Sequence, residues 1–139
     1  MQVKVCELSG NQLNYAVAIC ENRTVVGFLG GGVWVMGRHE DGSELPGFEF
    51  VYSPSTDWMN GGPLIERERI VVKPLTIAER TEAGSDVLRD TGWVSYKTPA
   101  LFWITPQAHQ GATPLAAAMR CYVAFKLGDE VDVPDELCK

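Results

Sequence analysis

No apolar run in the sequence approaches the roughly 20 residues a helix needs to cross a bilayer, and Met1 leads directly into Val3 and Val5 without a basic segment and apolar stretch. Neither a membrane span nor a leader is expected, and the chain reads as a cytosolic protein. Basic residues are in short supply, 12 against 18 acidic, for a formal charge of -6. General DNA or RNA binding by long-range attraction is disfavoured, although one local basic patch remains compatible with that balance. The four cysteines, Cys6, Cys20, Cys121 and Cys138, form no CxxC pair, so neither a zinc site nor a redox motif is signalled. Free thiols are expected, the first three buried and Cys138 in a fraying terminus. The two histidines, His39 and His109, stand 70 positions apart with no acid at ligand spacing, which excludes an obvious metal site. Gly27 and Gly30 to Gly32 are not followed by Lys-Ser/Thr and lack dinucleotide-fingerprint spacing, so they read as a turn. No GxSxG or nucleophilic cysteine motif occurs, and no cofactor is implied.

What is present is the composition of an ordinary globular protein, 139 residues with 45% hydrophobic and 22% charged. A domain of this size buries about two thirds of its unfolded surface and needs no staple. The pattern predicts a short strand over 2–7, then a helix whose start is marked by Ser9 and Gln12 at capping-box spacing and by Leu8 and Leu13 at staple positions. Leu13, Ala16, Val17 and Cys20 give that helix an apolar stripe ending near Glu21 or Asn22. Thr24 to Met36 reads as a hairpin, 37–47 as a loop, Phe48 to Tyr52 as a strand and 53–62 as a long irregular segment. Glu66 to Val72 again looks like a strand, 76–90 like a mobile insert or short helix, and 92–105 like two strands broken at Pro99.

The last helix is predicted from Thr113 as N-cap, with Pro114 at the first helical position, to Leu127, closed by Gly128. It has almost no polar face. Either it is central to the domain or one face meets a second copy, and the second branch predicts a homo-oligomer. The fold class expected is α+β, a small mixed or antiparallel sheet packed against two main helices. One domain spans 1–139, with the insert at 76–90 and an acidic surface tail at 129–139.

Three blocks, ELSGNQLNYAVA, YSPSTDWMNGGPLIERERI and GATPLAAAMRCYVAFKLGDEVDVPDEL, together resemble the NinX family of small phage proteins. They cover somewhat under half the chain, while 25–51 and 71–107 look longer than usual for the family. The resemblance implies a phage or prophage accessory protein working in the bacterial cytoplasm, and it supplies no catalytic mechanism.

The segment Tyr52, Ser53, Ser55, Thr56, Asp57, Trp58, Asn60, Gly61, Gly62 puts hydroxyls, an amide, an indole and two glycines in one stretch. Such groups suit phosphate or ribose, and Tyr52 and Trp58 suit base stacking. The alternative is a self-bonded turn with Trp58 in the core. His109, Gly111 and Thr113 lead into a helix N-terminus, where free amides and the dipole attract anions, or they form a plain capped helix. Arg120, the one charge in the middle of the apolar helix, needs a partner. An internal carboxylate such as Asp57, Glu66 or Glu68 would serve, or a ligand phosphate. The expectation that follows is a non-catalytic binder of a small anionic nucleotide, with bacterial immune signals as candidate ligands. A hydrolase of such a nucleotide using His109, or an interaction protein with an exposed aromatic patch, are the alternatives.

Overall fold

The computed structural model describes residues 1–97 and 107–139. Leu101 to Ile104 and the break at Pro99, read above as strand and core, lie outside them. The fold is α+β, with three α-helices and three small antiparallel sheets among the described residues.

The first strand is shorter than expected. β1 (Gln2–Lys4) gives way to a 3-10 turn over Val5–Glu7, and α1 (Gly10–Cys20) follows with Ser9 as N-cap. The start is where the pattern placed it, but the capping box does not form. The Ser9 side chain makes no cap bond, and Gln12 Nε2 donates instead to the Leu137 carbonyl at 3.1 Å. Leu8 and Leu13 are both fully buried, so the apolar flank fixes the chain's approach to α1 without the polar half of the motif.

β2 (Val25–Gly27), β3 (Trp34–Arg38) and β4 (Glu44–Val51) form one sheet. The hairpin read over 24–36 is present, but the 37–47 loop shrinks to a tight turn because both flanking strands run further. The β3–β4 register passes from Met36↔Glu49 to Gly37↔Leu45, which pushes Pro46, Gly47 and Phe48 out as a bulge. A Cβ on Gly37 would meet the Phe48 carbonyl oxygen at 2.6 Å, so only glycine lets the bulge fold back onto β3.

The irregular segment expected at 53–62 is in its second half a helix, α2 (Trp58–Glu68), and it takes in residues 66–68 that the pattern gave to a strand. Asp57 is its N-cap, accepting from the Met59 amide at 2.9 Å. Gly61 lies where α2 crosses α3; a Cβ there would sit 2.7 Å from Leu115 Cδ2. β5 (Ile70–Arg80) and β6 (Asp86–Lys97) form a long hairpin, so 76–90 is its outer part rather than a helix. β7 (His109–Gly111) pairs with the inner end of β6.

α3 (Pro114–Leu127) starts as predicted, Thr113 Oγ1 accepting from the Ala116 amide at 3.1 Å. Gly128 closes it with φ 90 and ψ -164, a positive φ outside the left-handed helical region. α3 packs against α1, α2, β5, β6 and β7. Its Ala118, Met119, Cys121, Tyr122 and Val123 join Leu13, Ala16 and Val17 of α1 in one core. The central-helix branch accounts for the buried faces of α3, while Phe125 and Leu127 near its end stay exposed at 63% and 39%. The tail is partly a strand, β8 (Glu130–Asp132), paired with β1, and Val131 and Val133 are buried. Cys121 is buried and Cys20 half-buried, but Cys6 is exposed, contrary to expectation, because the 3-10 turn points it away from the core.

Candidate functional site

The central stretch is largely spent on holding itself together. Tyr52 is buried at 3% exposure and packs edge-on to Phe50 with ring centroids 6.3 Å apart, so it has no face for a base. Burial pushes its hydroxyl up to about 12. The Ser53 amide donates to Asn60 Oδ1 at 3.0 Å. Ser55, also buried, gives its amide and hydroxyl to Asn14 Oδ1 at 2.9 and 2.7 Å, and Asp57 is committed to its cap. Gly61 and Gly62 are helical residues rather than an exposed amide cradle. Thr56 and Trp58 remain exposed, Trp58 at 57%, which rules out the core role weighed for it.

The α3 N-terminus is likewise occupied. Pro114 has no amide, and Thr113 takes those of Ala116 and Ala117 through its hydroxyl and carbonyl. Gly111 packs so tightly on this turn that a Cβ would lie 2.9 Å from the Ala116 carbonyl carbon. An anion would find few free amides and a strand in the way. Arg120 forms no ion pair with the carboxylates weighed for it. Nε and Nη2 both donate to the Leu8 carbonyl, at 3.0 and 2.8 Å, and Nη1 donates to the Gln110 carbonyl at 2.7 Å. It straps α3 to the chain before α1 and to β7. Of the sequence-predicted set, Ser55, Thr56, Trp58 and Thr113 do meet, in a cleft of about 280 Å³ closed by Pro114 and Leu115. Its walls are mainly hydrocarbon. His109 lies elsewhere, in a cavity of about 640 Å³ that it shares with Lys4, Cys6 and Asp129. Burial lowers its pKa, against the opposing pull of Asp129, which favours the neutral imidazole.

A different cleft, of about 440 Å³, has the chemistry that the first lacks. Arg23, Gly37, Arg38, Leu45, Phe48, Glu49 and Phe50 line it. Arg23 follows the end of α1, where its amide donates to the Ala18 carbonyl at 2.9 Å. Its guanidinium lies 5.6 Å from the Phe50 ring centroid and 5.4 Å from that of Tyr52. Its Nε is buried and has no hydrogen-bond partner among the described residues. Arg38, at the end of β3, donates to the Asn22 carbonyl. Among the described residues neither guanidinium has a carboxylate within 4.0 Å. What sets this cleft apart is that two guanidiniums line it together, one of them with a buried Nε that has no hydrogen-bond partner among the described residues. The bulge adds Phe48, 65% exposed, at the rim. None of these residues carries a motif. The signal lay in Gly37 facing a three-residue bulge, a pairing that the one-dimensional pattern does not contain.

The sequence profile described as bacteriophage P22, NinX matches residues 4–126. The chain belongs to the NinX family. The matched span runs through both 25–51 and 71–107, beyond the three blocks that carried the resemblance. Comparison with curated proteins returned no match. In this NinX chain the other charged cluster is internally neutralised. Arg67 forks onto Glu21 at 2.9 and 3.1 Å and also reaches Glu68 at 3.1 Å and the Tyr122 hydroxyl at 3.0 Å. Lys97 Nζ donates to Glu68 at 3.1 Å and lies 3.7 Å from the Phe125 ring centroid. Burial works to raise the Glu68 pKa, but the hydrogen bonds from Lys97 and Arg67 outweigh it and hold the carboxyl below its usual range. With its cations already paired, that cluster ties α1, α2, α3 and β6 together and leaves Arg23 and Arg38 as the better candidates for a ligand. No helix among the described residues is long and apolar enough to cross a membrane.

Proposed function

We propose that this phage protein is a non-catalytic binder that sequesters a small anionic nucleotide in the cleft of Arg23 and Arg38. The observation that carries the reading is the pair of guanidiniums lining one cleft, one with a buried and unpartnered Nε, beside an exposed phenyl ring. Arginine forks match phosphate oxygens, and an aromatic face accepts any base. A phage accessory that withholds such a molecule from a bacterial immune receptor acts in counter-defence by mass action alone.

A thermal-shift screen against nucleotides tests this. A ligand that prefers the folded state at about 100 times its Kd adds ~2.7 kcal/mol, several degrees in a domain of this size. The absence of any shift across cyclic, linear and ADP-ribose-type nucleotides contradicts the reading. Recovery of the intact ligand after denaturation separates binding from hydrolysis. Hydrolysis is the second reading, supported by the neutral His109 facing the cavity of about 640 Å³. Turnover that His109→Ala abolishes would favour it.

A further inference from the structure

The charges lining the Arg23–Arg38 cleft point to the kind of nucleotide it takes, an inference that rests on the reading above. Three ionisable side chains line the cleft: the guanidiniums of Arg23 and Arg38 and the carboxylate of Glu49. The formal charges of these three side chains sum to a single positive charge. The cleft is set in a protein of formal charge -6. A ligand with one phosphate charge cancels that balance. A triphosphate brings several negative charges, and those beyond the first meet Glu49 and the acidic surface without a cation to offset them. We propose that the cleft takes a nucleotide monophosphate diester carrying a single negative charge, with the phosphate between Arg23 and Arg38 and the base against Phe48.

Three further features agree with that ligand. The Arg38 guanidinium is steadied by the Asn22 carbonyl, so its orientation is set before a ligand arrives. Arg23 rests on the rings of Phe50 and Tyr52 with an unspent Nε donor. Phe48 sits on a bulge that Gly37 alone permits, which holds a largely exposed ring at the mouth. A volume of about 440 Å³ lies at the small end of ligand sites and suits one nucleotide unit.

Isothermal titration at fixed ionic strength tests the inference, with 3′,5′-cyclic AMP and 3′,5′-cyclic GMP set against a doubly charged cyclic dinucleotide, ATP, pyrophosphate and adenosine. At least one cyclic mononucleotide is expected to bind about tenfold or more tightly than any of the others, and a cyclic dinucleotide that binds tightest overturns the single-charge inference. Phe48→Leu is expected to weaken that ligand about tenfold by removing the stacking face, and Glu49→Gln to narrow the gap to ATP. Both side chains are exposed, so neither change threatens folding. If ATP or pyrophosphate binds tightest and Arg23→Leu abolishes it, the anion site stands and the single-charge inference falls. If adenosine binds as well as its cyclic phosphate, the inference falls too. If nothing in the set binds, both the inference and the reading beneath it fail.

Discussion

Replacing Arg120 by methionine separates a structural strap from a ligand-binding arginine. Methionine keeps an unbranched apolar stem against α3's neighbours and removes the three donors. The perturbation strips two hydrogen bonds from the Leu8 carbonyl and one from the Gln110 carbonyl. Hydrogen bonds from a charged donor contribute about 1.5–3 kcal/mol each when well enclosed. Here two share one acceptor and the third is exposed, so the combined loss is nearer 2–3 kcal/mol than three full bonds. At roughly 3–4 °C per kcal/mol for a domain of this length, the Tm falls by about 6–12 °C. Urea unfolding followed by tryptophan fluorescence measures the free energy, and the slope should stay constant, since little surface is newly exposed in the folded state. Nucleotide affinity, measured well below the new Tm, should be unchanged. An unaltered stability together with lost affinity would refute the assignment of Arg120 to the scaffold.

Gly61→Ala should destabilise by about 1–3 kcal/mol despite alanine's better helix propensity, because its methyl group collides with the Pro54 carbonyl and with Leu115; a urea midpoint at or above wild type would contradict the packing. The folded-state pKa of His109 lies below its ordinary 6.5, so between those values the unfolded chain binds more protons and stability drops as pH falls from about 7. Glu68, also lowered, adds a further loss as pH falls below the ordinary carboxyl range. Unfolding free energies at pH 7.5, 5.5 and 3.5 should therefore decline stepwise, and His109→Asn should flatten the upper step; an unchanged slope would show that His109 is not its source. In thiol titration at pH 8 the exposed Cys6 should react quickly, while Cys20, pushed up to about 12 by burial, and the buried Cys121 should react only on unfolding. Equal rates for all thiols would contradict that burial.

Where local chemistry was decisive, the sequence could be read correctly. Thr113 and Pro114 announce the start of α3 within three residues, and the near absence of polar residues along it foretells a central helix. α2 escaped because Gly61, Gly62 and Pro63 are poor helix formers in succession. Tertiary contact outweighs that propensity: Gly61 is what allows α2 to approach α3, and Asp57 caps the start. The 76–90 hairpin escaped for the converse reason, since its polar strands bury little and leave no alternating apolar face. The polar residues at 52–62 were correctly seen as organised, but their hydrogen bonds turn inward to Asn14 and to their own backbone. Arg23, Arg38 and Phe48 come from a helix end, a strand end and a bulge. Their proximity follows from the β3–β4 register, which no local pattern encodes.

The most direct test titrates the tightest nucleotide found by thermal shift into wild type, Arg120→Met and the double variant Arg23→Leu/Arg38→Leu. If those two guanidiniums hold the ligand, the double variant loses about a hundredfold or more in affinity while remaining folded, and Arg120→Met binds like wild type. Undiminished binding by the folded double variant would contradict the account.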